Sequence, residues 1–152
     1  MRVTIAAVGR LGPGPERELY ERYAARCAPP LLLREVTLGA SAGAAKRRGA
    51  ETALLIAAVP KGARTIALDE RGRDLSSAAF AALLGRWRDD GAGDIAVLIG
   101  GADGLDGPAR DRCDLVLRLG QLTWPHLMVR ALIAEQLYRA QTILAGHPYH
   151  RE

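Results

Sequence analysis

The chain of 152 residues carries 21 Lys and Arg against 17 Asp and Glu, a net charge of +4, with 49% hydrophobic and 25% charged residues. This is the size and composition of one globular domain, residues 1–152, and it excludes a disordered linker, a fibrous protein and a multi-domain assembly. Seven aromatic side chains are too few for an extended stacking platform for single-stranded nucleic acid.

No apolar run approaches the roughly 20 residues of a membrane span, so no membrane contact is expected. The N-terminus lacks the pattern of a cleaved leader, and a cytoplasmic location is expected. Cys27 and Cys113 make neither a disulfide framework nor a metal knuckle.

Residues 2–8, Arg-Val-Thr-Ile-Ala-Ala-Val, are β-branched and apolar and stop at Gly9, which predicts a buried strand. Residues 15–27 predict a helix: Pro15 suits its first turn, Glu16 and Glu18 suit its positive end, and Leu19, Tyr20 and Tyr23 share a face. A strand is expected at 31–38 after Pro29-Pro30, then a mobile loop of small residues at 39–45. The helix expected at 46–59 opens on Lys46-Arg47-Arg48, the only basic run, and stops near Pro60. A solvated helix start accounts for that run more readily than nucleic-acid contact, although residues 1–76 carry +5 and residues 77–152 carry −1.

Arg64 to Leu68 predicts a short strand that leads into Asp69-Glu-Arg-Gly-Arg-Asp74. Ser76 and Ser77 are candidate N-caps for a helix to Arg88. Asp94-Ile-Ala-Val-Leu-Ile99 is the clearest buried strand and ends in Gly100-Gly101. A short helix at 108–112, a last strand at 114–118 and a long helix from Pro125 to Leu144 complete the chain. Strands that alternate with helices and are apolar on both faces give an α/β fold with a mostly parallel sheet.

Four segments could carry chemistry. In Ile99-Gly-Gly-Ala-Asp-Gly-Leu105, glycines at a strand's carboxyl end allow backbone to approach a ligand closely, and a side chain added at Gly100 is expected to intrude on that pocket. The spacing is neither a dinucleotide fingerprint nor a phosphate loop, and a tight strand-to-helix turn explains it equally well. Leu119-Gly-Gln-Leu-Thr-Trp-Pro-His126 offers backbone donors and acceptors between the apolar walls Leu122 and Trp124, suited to an aromatic base; the plainer reading puts Trp124 in the core. The helix from His126 is apolar nearly all round, so it is buried on more than one side, and one side could face a second subunit. Its Glu135 and Arg139 form an i, i+4 pair, whereas Arg130 has no acidic partner at that spacing. The tail His147-Pro-Tyr-His-Arg-Glu152 is either loose, as chain ends commonly are, or a segment that closes over a substrate. Its two histidines lack a third ligand, so no metal is expected.

In order and spacing, Ile99-Gly-Gly-x-x-Gly-Leu105, Leu122-Thr-Trp-Pro-His126, Arg130 through Glu135-Gln136-x-Tyr138-Arg139-Ala140 and the terminal Pro148-Tyr149-His150 resemble the ribosomal RNA large subunit methyltransferase H family. So do the opening Val8-Gly9 and the strand end Ile66-x-Leu68-Asp69. These are small SPOUT enzymes that methylate N3 of a pseudouridine in 23S rRNA. Ala102 and Trp124 depart from the family's pattern, and Trp124 changes a pocket wall. The resemblance implies an α/β knot fold with a C-terminal trefoil knot, S-adenosyl-L-methionine as cofactor, a homodimer, and the assembled 70S ribosome as substrate. A knot is not something composition or periodicity suggests. Carried onto this chain, the cofactor pocket would involve Leu68, Gly100, Leu119, Gly120, Gln121, Leu122, Thr123 and Trp124.

The chemistry of the reactants then assigns roles. A sulfonium methyl is already activated and must be held in line with N3 at near-attack distance. The N3 imide improves as a nucleophile when its proton leaves, which makes His150 the candidate base. Arg151 or Arg139 would stabilise the anion and Tyr149 would stack on the base. Two rival readings are a SPOUT enzyme for another RNA, such as tRNA, and a non-enzymatic ribosome-binding factor on a degenerate methyltransferase fold. The intact glycines and loop speak against the second. An enzyme for a small nucleotide lacks its phosphate-binding motifs.

Overall fold

The computed structural model describes residues 1–39 and 43–151. Its elements in chain order are β1 (Arg2–Val8), α1 (Pro15–Arg26), β2 (Leu32–Val36), α2 (Ala44–Ala57), β3 (Arg64–Asp74), α3 (Ser77–Asp89), β4 (Asp94–Ile99), α4 (Gly107–Arg110), β5 (Leu115–Arg118) and α5 (His126–Leu144). Every element expected from the sequence is present. The helix expected at 46–59 begins two residues earlier and ends two residues sooner. Alanines extend its start, and the residue before Pro60 is pushed out of the helical region. Residues 40–42 of the expected mobile loop lie outside the described residues.

The five strands form one all-parallel sheet in the order β2-β1-β4-β3-β5. Burial explains why the central strands are apolar throughout. Val3, Ile5 and Ala7 of β1 join Ile95, Val97 and Ile99 of β4 and Ile66 of β3 in a core shared with α1, α3 and α5. The alternate residues Ala6, Val8, Ala67 and Leu98 face the other way, where Leu55 of α2 and Leu105 cover them. The pleat sends successive side chains to opposite faces, so a strand covered on both sides has no polar register. Crossovers toward the β2 edge carry α1 and α3 on one face, and the crossover from β2 to β3, toward the β5 edge, carries α2 on the other. These three therefore share one hand, as twisted parallel sheets require.

Local chemistry fixes the elements that frame the site. Pro15 opens α1, with Glu16 and Glu18 in the first turn and Arg26 in the last. Ser76 is the cap of α3, its Oγ accepting from the Ala79 amide at 3.1 Å, while Ser77 donates to Gln136 of α5 at 2.7 Å. The long helix α5 lies between α1 and α3, and from Val129 to Ile143 none of its residues is exposed. A helix apolar all round thus finds cover within one chain along most of its length.

The main departure from the sequence reading is β3. Instead of a strand over 64–68 it runs to Asp74, interrupted by a bulge in which Leu68 and Arg73 both pair with Leu117. The charged run 69–74 has no strand propensity of its own, and pairing with β5 imposes it. Gly72 makes this close pairing possible: a Cβ there would lie 2.5 Å from the Leu117 carbonyl carbon.

Candidate active site

Ligand crevices in open parallel sheets form beyond the carboxyl ends of the strands. Here Leu68, where β3 enters its bulge, Ile99 at the end of β4 and Leu117 near the end of β5 open into a cavity of about 340 Å³, within the size range of small-molecule sites. Two loops frame it. One is the turn Gly100 to Leu105, and the other is the segment Leu119 to Trp124 between β5 and α5.

The first loop is held by its own backbone. The Gly104 amide donates to the Gly101 carbonyl at 3.0 Å, and Gly104 sits at φ 73°. A Cβ on Gly100 would lie 2.6 Å from the Gly104 carbonyl carbon. The expectation that a side chain here would intrude on the pocket is therefore corrected: it would strike the turn itself first. The tight-turn and cavity-wall readings hold together. Behind the turn, Thr52 of α2 accepts from the Asp106 amide at 3.0 Å, and the buried Glu51 packs against Gly101.

The second loop turns at Gly120, φ 81°, and is closed by Trp124, whose Nε1 donates to the Leu119 carbonyl at 2.8 Å. Trp124 is 39% exposed and Leu122 75% exposed. Trp124 is therefore a wall of the cavity and not part of the core. Of the residues expected to bind cofactor, Leu68, Gly100, Leu119, Gly120, Leu122, Thr123 and Trp124 all line this cavity, whereas Gln121 does not.

The sequence reading overlooked the charged rim. Asp69, Glu70 and Arg71 of the bulge, Asp103 of the turn and Arg48 of α2 also line the cavity. Asp69 is fixed by an Arg71 amide donating to it at 2.9 Å and by Arg110 at 3.6 Å. The bulge is the signal that could have found them, and it becomes visible only once β5 is seen to pair past Leu68.

A second cavity of about 690 Å³ lies on the other side of Leu117, Arg118, Leu119, Gly120 and Trp124, which line both. Glu135, Arg139 and Tyr149 line it. The tail is docked there. Tyr149 packs edge-on against Tyr138 with ring centroids 4.8 Å apart, lies under Arg139 at 4.9 Å, and donates its hydroxyl to Glu135 at 3.0 Å. Burial, with its bonds to Tyr23 and Glu135, pushes the Tyr149 phenol well above its ordinary value. Arg139 Nε donates to Glu135 Oε1 at 2.9 Å, and that bond raises the guanidinium's pKa. Arg139 Nη1 lies 3.2 Å from His150 Nδ1. A guanidinium only donates, so Nδ1 accepts and the neutral imidazole keeps its proton on Nε2. Arg151 is exposed. The tail side chains and the cofactor-pocket residues thus occupy two adjacent cavities of one chain that share a wall. No group of three or more His, Cys, Asp or Glu comes together among the described residues, and no helix there is long and apolar enough to cross a membrane.

The chain is similar to known proteins over its whole length. The family described as "Predicted SPOUT methyltransferase" matches residues 1–150. The chain is 55% identical over 151 residues to the ribosomal RNA large subunit methyltransferase H of Rhodospirillum centenum, covering 99% of both chains. It is 54% identical over 159 residues to the protein of that name from Brucella anthropi, again covering 99% of each. It is 51% identical over 160 residues to that from Paracoccus denitrificans, covering both completely. A match of this length leaves no part of the α/β sheet or its two loops unaccounted for, and the chain belongs to the SPOUT methyltransferase family, a family of enzymes.

Proposed function

We propose that this methyltransferase moves a methyl group from S-adenosyl-L-methionine to N3 of a pseudouridine in 23S rRNA of the assembled 70S ribosome, acting as a homodimer in the cytoplasm. The observation that carries this reading is the end-to-end similarity, at 50–55% identity, to proteins named ribosomal RNA large subunit methyltransferase H. The knotted path of the chain near its C-terminus belongs to the same reading.

The cavity at the strand ends fits the cofactor. Leu68, Ile99, Leu117, Leu122 and Trp124 give apolar walls for an adenine, and the 119–124 loop presents backbone groups to its polar edge. Asp69, Glu70 and Asp103 offer carboxylates to a molecule that carries a sulfonium and an ammonium, beside Arg48, Arg71 and Arg118 on the same lining. When bound, the cofactor supplies a methyl group already activated by the positive sulfur.

The chain's own residues must then hold the base in line and manage one proton. His150 Nδ1 is turned toward Arg139 Nη1 at 3.2 Å and away from an incoming base. The ring must turn from Arg139, and the turn frees Arg139 Nη1 to donate to the anionic base, while Glu135 keeps the rest of the guanidinium in place. Proton acceptor and anion donor are thereby released together. Tyr149 would stack on the base only after parting from Tyr138, so engagement of substrate and undocking of the tail are one event. The second cavity and the exposed Leu19, Leu122 and Trp124 are consistent with a second copy of the chain bringing its tail to the shared wall.

The test is transfer of labelled methyl to RNA from cells lacking the modification, with assembled ribosomes, free large subunits and bulk tRNA side by side. Label at N3 of a 23S pseudouridine, mainly in assembled ribosomes, is expected. Label on tRNA alone, or cofactor binding with no label on any RNA, would overturn it.

A further inference from the structure

We propose that Lys46, Arg47 and Arg48, with Arg71, form a rim that grips the phosphodiester backbone of the substrate RNA beside the cofactor cavity. The inference rests on the chain acting on RNA. It assigns a role to the one basic run that the catalytic reading leaves unused.

The run lies in the first turns of α2, which starts beyond the carboxyl end of β2, and so on the carboxyl-end side of the parallel sheet, as the cavity is. Arg48 lines the cavity, and so does Arg71 from the β3 bulge. Lys46, Arg48 and Arg71 are exposed and Arg47 is half-buried. Successive helical positions are about 100° apart, so only Arg48 faces the cavity, and Lys46 and Arg47 carry the positive charge across the end of the helix.

Pairing separates these cations from the others nearby. Arg118, which also lines the cavity, is committed to Asp74 at 3.1 Å, and Arg110 to Asp111 at 2.7 Å and Asp69 at 3.6 Å. Among the described residues, the side chains of Lys46, Arg47, Arg48 and Arg71 make no ion pair and no hydrogen bond. The first acid of α2, Glu51, is buried and turned toward Gly101. Of the acids lining the cavity, Asp69 is already held by Arg110, which leaves Glu70 beside Arg71 on the bulge and Asp103 on the turn. A base delivered to the mouth of this cavity would bring its flanking phosphates within reach of Arg48 and Arg71 on the lining, with Lys46 and Arg47 next to Arg48 on α2. Phosphate contacts position a nucleic acid without reading its sequence.

The test uses the double variant Lys46→Gln/Arg47→Gln, whose residues do not line the cavity, and Arg48→Gln separately. Methyl transfer to unmodified ribosomes is followed across a salt series, with calorimetric cofactor binding as the control. The double variant should keep its cofactor affinity and its kcat within about twofold. Its KM for ribosomes should rise about tenfold, and the slope of log affinity against log salt should fall by about 1 to 2, since each lost phosphate contact removes roughly 0.7 to 0.9. Arg48→Gln, which removes a single contact, should lower the slope by about 0.7 to 0.9. A KM and a salt slope equal to wild type in both variants would overturn the rim while leaving the enzymatic reading intact. If the wild type labels a different RNA, the same two parameters are read on that RNA. A wild type that labels none overturns both.

Discussion

Arg130 Nη1 donates to Glu35 Oε1 at 2.8 Å, joining a fully buried side chain of α5 to the edge strand β2. Arg130 Nη2 also donates to the carbonyls of Val8 and Gly9 at 2.7 and 2.9 Å, and Glu35 accepts from the Leu11 amide. One guanidinium therefore ties α5, the carboxyl end of β1 and the start of the loop after it.

The two partners are not equivalent. Arg130 is 0% exposed, whereas Glu35 is 29% exposed. Burial draws the Arg130 pKa down and Glu35 opposes the shift. Removing the acid strands a buried cation; removing the cation leaves an acid that water can reach. Glu35→Ala should cost about 3 kcal/mol, the low end for a broken buried pair because two carbonyls still solvate the guanidinium. Arg130→Met should cost less, about 2 kcal/mol. Urea denaturation of both variants decides it, and the reverse order would show that water already screens the pair.

The β3 bulge turns on Gly72. A Cβ there meets backbone of Leu117 and Arg118 at 2.5–2.8 Å, and backbone has no rotamer to move away. Gly72→Ala should cost about 1–3 kcal/mol by overpacking and should weaken cofactor binding, because the bulge carries Asp69, Glu70 and Arg71 to the cavity. Gly120→Ala is the contrast. It has open space but φ 81°, so it should cost only about 1–2 kcal/mol of left-handed strain. Equal losses of cofactor affinity and stability in the two variants would show that the bulge has no special part in shaping the site.

These two places mark where the sequence was and was not legible. The central strands, the capped α3 and the apolar α5 follow from local pattern, since Asp94 to Ile99 can only be a buried strand and Ser76 only a cap or a turn. The cavity beside Gly100 and the 119–124 loop was legible because both lie next to strand ends, and a strand end in a parallel sheet is a place as well as an element. The partner of Arg130 was not, because it was sought four residues along the helix and lies 95 residues away in sequence. The pairing of 73–74 with β5 was not, because Asp69 to Asp74 is a strand only by virtue of its neighbour.

Trp124 closes the loop from Leu119 to Trp124 through one bond. Trp124→Phe keeps the ring but deletes the donor to the Leu119 carbonyl. A net hydrogen bond is worth about 1 kcal/mol, so cofactor affinity should fall about fivefold as the loop loosens. At 39% exposure the residue contributes little to the core, and stability should change by less than about 1 kcal/mol. Calorimetry together with thermal melting separates the two effects, and a large melting shift with unchanged affinity would return Trp124 to a structural role.

The docked tail predicts a pH dependence with a definite sign. The Tyr149 phenol is held protonated by burial and by its bonds to Tyr23 and Glu135, so its folded pKa lies above the ordinary value near 10. A group whose folded pKa is raised contributes stability that is complete below the unfolded pKa and is lost as pH rises through the folded one. Docking of the tail should therefore be constant from neutral pH to about pH 9 and weaken above about pH 10. Burial also pushes Tyr20 up to about 12, so two of the four tyrosines titrate late. At about pH 10.5 the wild type and Tyr149→Phe should show the same absorbance from ionised phenol, because the deleted hydroxyl was not yet ionised. Difference spectra near 295 nm measure this directly. A loss of about one phenolate equivalent in the variant at that pH would mean that Tyr149 is solvated and that the tail is not held against α5.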